Sequence, residues 1–327
     1  MIEAIPTPFI IIFVGLLAIM AFVGLNAVVL VYLERKVAGF IHRRPGPYEV
    51  GPPCFPHGIL QPIADGLKLV GKQIFTPKGA DSFLYWLAPM ISIAPAIVCF
   101  IAIPFGPHLQ VINTNVGLIL ILAFTGINVL ALCLAGWASQ NKYGLIGAAR
   151  DISQGVAYEI PLLLVVLSIV FMTGTFNLFD IADGQGTWPW QWYIVYQPLA
   201  FILFFICALA ETNRNPFDLP EAESELTAGF HTEYSGMAFA CFFLAEYAYM
   251  VVAACIMAIL FLGGFQGPGA PGIWWFLAKV YVLLLIMIWI RWTFPRVRFD
   301  QLLNICWKWL IPLAVLNLLI TLAVIAL

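Results

Sequence analysis

Apolar and polar positions fall in long blocks along this chain, without the short periods of soluble helices or strands. Apolar runs lie near 9–33, 85–105, 116–138, 154–173, 192–212, 237–262, 273–292 and 304–326. Each is close to the roughly 20 residues that carry a helix across a bilayer. In hydrocarbon a backbone must satisfy its own N–H and C=O groups, so such runs predict helices. The expected fold is all-α: one integral membrane domain over 1–327, a bundle of eight transmembrane helices. Polar loops are expected at 34–84, 139–153, 213–236 and 293–303. The first run is too long for a signal-peptide core and only Glu3 precedes it as a charge, which predicts a retained helix.

The first loop, LERKVAGFIHRRPGPYEVGPPCFPHGILQPIADGLKLVGKQIFTPKGAD, has a pattern of its own. Ile59, Leu60, Ile63, Leu67, Val70 and Ile74 share one side of a wheel drawn at ~100° per residue, opposite Asp65, Lys68 and Lys72. An amphipathic helix against the membrane surface or a partner is expected there. For each lysine, a merely solvated polar face is the plainer alternative. RRPGPYEVGPP is too rich in Pro and Gly for a helix and predicts a shaped loop.

Composition and charge sharpen this reading. The chain is 62% hydrophobic and only 10% charged, where soluble domains carry about 25% charged residues. All but Lys279 and Lys308 of the 15 lysines and arginines lie in, or at the edge of, the loops after the first, third, fifth and seventh runs. Lys308 begins the eighth on that same side. The asymmetry predicts that these loops are cytoplasmic (or in the matrix or stroma) and both termini opposite. With no transit peptide, a bacterial cell inner membrane or an organellar inner membrane is the expected location. The seven cysteines occur singly with no C-x-x-C, and the four histidines lie outside the runs. Neither a metal site nor haem ligation is expected of this chain.

Carboxylates carry the candidate chemistry. Five of the 17 acids, Glu211, Asp218, Glu221, Glu223 and Glu225, crowd into ETNRNPFDLPEAESEL. A helix starting near Pro220 would explain one or two of them through its dipole. The excess points to an acid cluster or a docking surface. Inside the runs, charges are expensive and read as functional. Glu246, in FFLAEYAYM, is placed roughly 14 Å deep by a rise of 1.5 Å per residue. Glu159, in DISQGVAYEIP, lies about a turn into its run, Glu211 and Glu34 close theirs, and Arg291 stands near enough to balance them. In a bundle these acids are expected to face one hydrated interior path; neutral acids that merely pin helices are the alternative. Tyr158, Tyr247 and Tyr249 read first as aromatic packing, and second as extensions of a hydrogen-bonded chain.

LERKVAGFIHRRPGP, QPIADGLKL, ARDISQGVAYEIP and AETNRNPFDLPEAESELTAGFHTEYSGM together resemble the family of quinone-site membrane subunits of respiratory complex I. The resemblance covers essentially the whole chain. It implies a subunit of a proton-translocating NADH:quinone oxidoreductase, at the junction of the peripheral and membrane arms. Quinone is then the substrate, and FMN and iron–sulfur clusters lie on partner subunits, with no redox cofactor bound here. The implied partners are the peripheral-arm subunits bearing the terminal cluster and quinone headgroup site, and the membrane-arm subunits. By matching motifs, Arg35, Lys36 and Asp65 would border the quinone's way in. Arg214, Phe217 and Asp218 would border the deep cavity, with Glu221, Glu223 and Glu225 as its acidic wall. Glu34, Glu159, Glu211 and Glu246, beside Arg291, would form an acidic path toward the pumping subunits. One departure is the third span, FTGINVLALCLAGW, which lacks an acid that some members carry and leaves Asn128 or water to bridge. Two other classes stay open: a stand-alone secondary transporter, although no internal repeat marks one, and the related subunit of a membrane-bound hydrogenase or ferredoxin-linked complex.

Overall fold

The computed structural model describes residues 7–51, 57–107, 109–221 and 223–326; the side chains of 7–13, 223 and 224 lie outside that description. Among the described residues the regular elements are helices, and no strand forms. Helix α1, Thr7–Ile41, has 35 residues and is about 52 Å long, well beyond a ~30 Å hydrocarbon layer. It runs on past residue 33, so Glu34, Arg35 and Lys36 ride on a rigid helix and not on the expected loop. Helix α2, Gln61–Gly71, has Pro62 in its first turn, where a missing N–H costs nothing. Leu60, Ile63, Leu67 and Val70 are exposed along it.

Asp81 opens α3, Ser82–Ala102, by accepting from the backbone N–H groups of Phe83 and Leu84. Helix α4, Gly117–Ala138, returns beside it. Helix α5, Lys142–Thr173, is capped by Asn141 and begins well before the expected residue 154. The polar residues of ARDISQG are therefore helical; polarity there records a helix outgrowing the apolar layer. Helices α4 and α5 meet closely at Gly136, where a Cβ would come within 2.5 Å of Ala148 Cβ and the Gly144 carbonyl oxygen. Small residues let backbones approach where lipid offers no hydrophobic drive.

After α6, Leu178–Asp183, the expected run 192–212 divides into α7, Tyr193–Tyr196, and α8, Pro198–Glu211. The 14 residues of α8 reach only about 21 Å. Among the described residues, seven helices are long and apolar enough to cross a membrane, and α8 is a shorter apolar one. The break is bound internally. Gln197 accepts from Ser168 Oγ at 3.0 Å and donates to Thr321 Oγ1 at 3.0 Å, while Asn317 donates to Ser168 at 3.2 Å.

In place of a helix from Pro220, only a single turn forms, α9 at Glu223–Leu226. Helices α10, Gly236–Phe261, and α11, Ile273–Thr293, follow. Helix α12, Phe299–Ile305, continues through a π-turn at Cys306–Leu310 into α13, Ile311–Ala326. Every residue from Tyr247 to Phe261 is buried, as befits a helix that is apolar all round. Helix α10 is thus the central post, contacted by α1, α3, α8 and α11. Lys279, the one cation outside the loop pattern, closes its far end. Its Nζ donates to the carbonyls of Leu262 at 2.5 Å, Gly264 at 3.0 Å and Gln266, and it lies 4.1 Å from the centre of the Trp192 ring. A cation at a helix C-terminus satisfies orphan carbonyls and complements the dipole.

Candidate functional site

The segment TNRNPF folds back onto the bundle through neutral side chains. Thr212 Oγ1 donates to the Ala208 carbonyl at 2.9 Å. Asn213 then turns the chain at φ +50, a left-handed conformation that asparagine tolerates. Gln154, wholly buried on α5, reaches the carbonyls of Ala210 at 2.7 Å and Phe217 at 2.9 Å and Asn213 Oδ1 at 3.0 Å. Asn213 donates to Asp151 at 2.7 Å, and Asn215 to the Arg291 carbonyl at 3.0 Å.

These anchors drive Arg214 into the interior, where it is 2% exposed. Its Nη1 lies 3.1 Å from Glu34 Oε2, its Nε 2.8 Å from Glu246 Oε1, and its guanidinium 4.3 Å from the centre of the Tyr247 ring. Arg291 Nη1 is 2.7 Å from Glu34 Oε1, and the Tyr247 hydroxyl donates to Glu34 Oε2 at 2.6 Å. Two carboxylates thus face two guanidiniums. Burial opposes the Arg214 charge, but Glu246 and Glu34 hold its pKa above even the usual arginine range. The expected aromatic packing of Tyr247 is only part of its role, because its hydroxyl joins the cluster. Tyr249 and Tyr158 give their hydroxyls to backbone carbonyls of Ser92 and Leu302, each at 3.2 Å.

Asp218, Glu225 and Glu221 of the acidic loop each lie beside a basic side chain. Arg296 Nη2 lies 2.8 Å from Asp218 Oδ2, and Arg150 Nη1 lies 2.6 Å from Glu225 Oε2. Glu221 Oε1 is 3.6 Å from His231 Nδ1. Burial, then the charges of Glu246 and Asp218, push the Glu221 carboxyl well above the usual range, with Arg214 partly opposing. Burial pushes His231 down to about 4. Both directions favour neutral forms. The Glu223 side chain lies outside the described residues. Phe217 is buried against Tyr158, ring centres 5.6 Å apart. Near α2, Arg35 and Asp65 form an ion pair at 2.5 Å, Gln61 donates to Asp65 at 3.2 Å, and Lys36 donates to the Pro45 carbonyl at 3.2 Å.

A cavity of about 590 Å³ opens directly on the cluster, with Glu34, Arg35, Tyr247 and Arg291 as its polar wall and Val31 and Phe243 as its apolar one. That volume falls in the roughly 300–1,000 Å³ range of ligand pockets. A second cavity of about 450 Å³ is lined by Asp218, Glu221 and Arg296 and shares Arg291 and Trp292 with the first. The expectation that all four path acids face the interior needs correcting. Glu34 and Glu246 meet in the cluster, and Glu211 lines a small chamber of its own. Glu159 is exposed on the outer face of α5 beside Ile152, Val156 and Ile160, with Gly126 of α4 next to it. The cause is helical spacing: Gln154, Ala157, Tyr158 and Leu162 are the buried side of α5. The hydroxyl of Tyr247 takes the second of the two readings the sequence offered for it, whereas Gln154 and Asn213 escaped the sequence reading. Their signal is faint, an amide within QGVAYE and an asparagine after a helix end.

Among the described residues, seven span-length helices around a buried ion network define an integral membrane protein with a charged interior. Residues 14–322 match the family described as NADH dehydrogenase, and the chain belongs to it. Three similar relatives carry the designation of H subunit of NADH-quinone oxidoreductase. That of Desulfotalea psychrophila is 48% identical over 313 residues, covering 92% of this chain and 93% of the relative. That of Protochlamydia amoebophila is 47% identical over 304 residues, 90% of this chain and 91% of the relative. The one numbered 1 in Geobacter sulfurreducens is 44% identical over 326 residues, 93% and 92%. Membership makes the chain a membrane subunit of complex I.

Proposed function

We propose that this chain forms the passage by which a quinone reaches complex I from the bilayer, and part of the acidic path that couples quinone reduction to proton pumping. The observation that carries this reading is the 590 Å³ cavity whose polar wall is the ion cluster itself. A quinone has an apolar tail and a polar head, and the cavity offers both kinds of surface. Arg35 and Asp65 stand at its edge, and Lys36 rides beside them on α1. Asp218 and Glu221 line the second cavity, Glu223 and Glu225 continue the proposed acidic wall in sequence, and Arg214 and Phe217 hold the loop that shapes it. Electrons arrive from NADH through FMN and iron–sulfur clusters on partner subunits, and the quinone headgroup is reduced in the peripheral arm.

Glu34, Glu246, Glu211 and Glu159 are the path, with Arg291 as counter-charge. Glu159, exposed at membrane depth, supports a neighbouring membrane-arm subunit on that face, because a carboxylate facing lipid is costly. In this reading α7 and α8 together serve as the eighth span, α2 lies at the membrane surface, and the basic loops are cytoplasmic with both termini opposite. Arg35→Ala or Asp65→Ala in assembled complex tests the passage. Losing this exposed pair, worth about 0.2–1 kcal/mol, raises the apparent KM for quinone by roughly 1.4- to fivefold. Normal quinone kinetics in both variants would move the passage elsewhere.

A further inference from the structure

Two small chambers separate the buried carboxylates. Glu211, Thr125, Asn128, Thr212 and Tyr249 lie along the first. Ser92, Asn128, Thr212, Glu221, Glu246 and Tyr249 lie along the second. Each holds about 20 Å³, and one water needs roughly 10–15 Å³ with two to four polar partners. The chambers share three polar residues, Asn128, Thr212 and Tyr249. Tyr249 and Thr212 already spend their hydroxyl protons on the carbonyls of Ser92 and Ala208, at 3.2 and 2.9 Å. Their oxygens remain as acceptors. Asn128 Oδ1 accepts from Ser92 Oγ at 3.0 Å, and its amide nitrogen carries two N–H donors. A water in either chamber therefore meets hydroxyl oxygens, the Asn128 amide and a carboxyl group. Helix α4, which supplies Asn128, contains no acid.

We propose that each chamber holds one water molecule and that Asn128 is the positioning residue through which Glu211 and Glu246 exchange a proton past one face of α4. The proposal rests on the coupling path described above. Protonated Glu211 gives its O–H proton to the first water, which passes one of its own protons to the second. The second water gives a proton to the Glu246 carboxylate. Both waters end neutral, Glu211 ends ionised, and Glu246 ends protonated. Asn128 gains and loses nothing; it keeps the two waters in line.

The test is the number of protons moved per NADH oxidised by the complete complex in sealed vesicles, for Asn128→Leu, Asn128→Asp and Glu246→Gln. Asn128→Leu loses most of this ratio, because an apolar side chain cannot hold the waters. Asn128→Asp keeps it, a rescue that a purely structural role for Asn128 does not predict. If Asn128→Leu retains the wild-type ratio while Glu246→Gln loses it, the bridge is wrong and the path stands. If Glu246→Gln retains the ratio, the path fails and the bridge with it. Should Asn128→Leu not assemble, Thr212→Val, which strips a hydroxyl from both chambers, is read in the same way.

Discussion

Arg214 joins Glu34, Glu246 and the ring of Tyr247 with one guanidinium, so three partners depend on it. Arg214→Leu leaves two buried carboxylates opposite Arg291 alone. Breaking a buried pair costs about 3–5 kcal/mol, enough to lower the amount of assembled complex severalfold and its thermal midpoint with it. Arg214→Lys recovers only part, since a point charge cannot serve both carboxylates as a planar fork does. Native gel quantitation and thermal melts of the complex measure both, and wild-type stability in Arg214→Leu would show that the cluster is not a keystone. Charges stand out in an apolar chain, which is why Glu34, Glu246 and Arg291 were legible in the sequence, while Arg214 entered only through the resemblance. Their pairing was not legible. It depends on where TNRNPF folds, and that is decided by Gln154 and Asn213, neutral residues with no contrast against their surroundings.

At the scale of elements, the acidic loop is the part most exposed to pH. Gly229 closes it, at φ +58 and pressed so near the Pro220 carbonyl that a Cβ would strike it. His231 is lowered from 6.5 to about 4 by burial, so the folded loop binds fewer protons than the unfolded chain between those values. This contribution is full above pH 6.5 and is lost as the pH falls toward 4; the whole shift is worth about 3 kcal/mol. Glu221, with its raised pKa, has the opposite sign: it binds more protons when folded, and its contribution weakens as the pH rises. The difference between wild type and His231→Asn isolates the histidine. Protease sensitivity of residues 218–235 should rise from pH 7 to pH 4.5 in wild type and do so less steeply in His231→Asn. Equal slopes would show that His231 is not held neutral. The helical class and the order of the runs could be read from hydropathy because each run is long; the count could not, since eight spans were expected and, among the described residues, seven helices are long enough, with α8 a shorter apolar one. The ends could not, because α1 and α5 outgrow the apolar layer and Gln197 divides α7 from α8 through bonds to distant residues. Glu159 was misplaced for a related reason: its side of α5 follows from the phase of a helix that starts earlier than its apolar run.

In the whole molecule, the buried post α10 links two charged ends, Lys279 capping one and Glu246 meeting Arg214 toward the other. The cavities open where the basic loops gather, and Glu159 looks outward on the far side of α4 and α5. In the coupling path proposed above, the chain receives an event at one end and hands charge to a neighbour within the membrane. The most direct measurement is the proton-to-NADH ratio of complex carrying Glu246→Gln in sealed vesicles, beside NADH oxidation by an artificial acceptor at the flavin. The ratio should fall sharply while flavin-site oxidation persists. An unchanged ratio in fully assembled complex would contradict the coupling path.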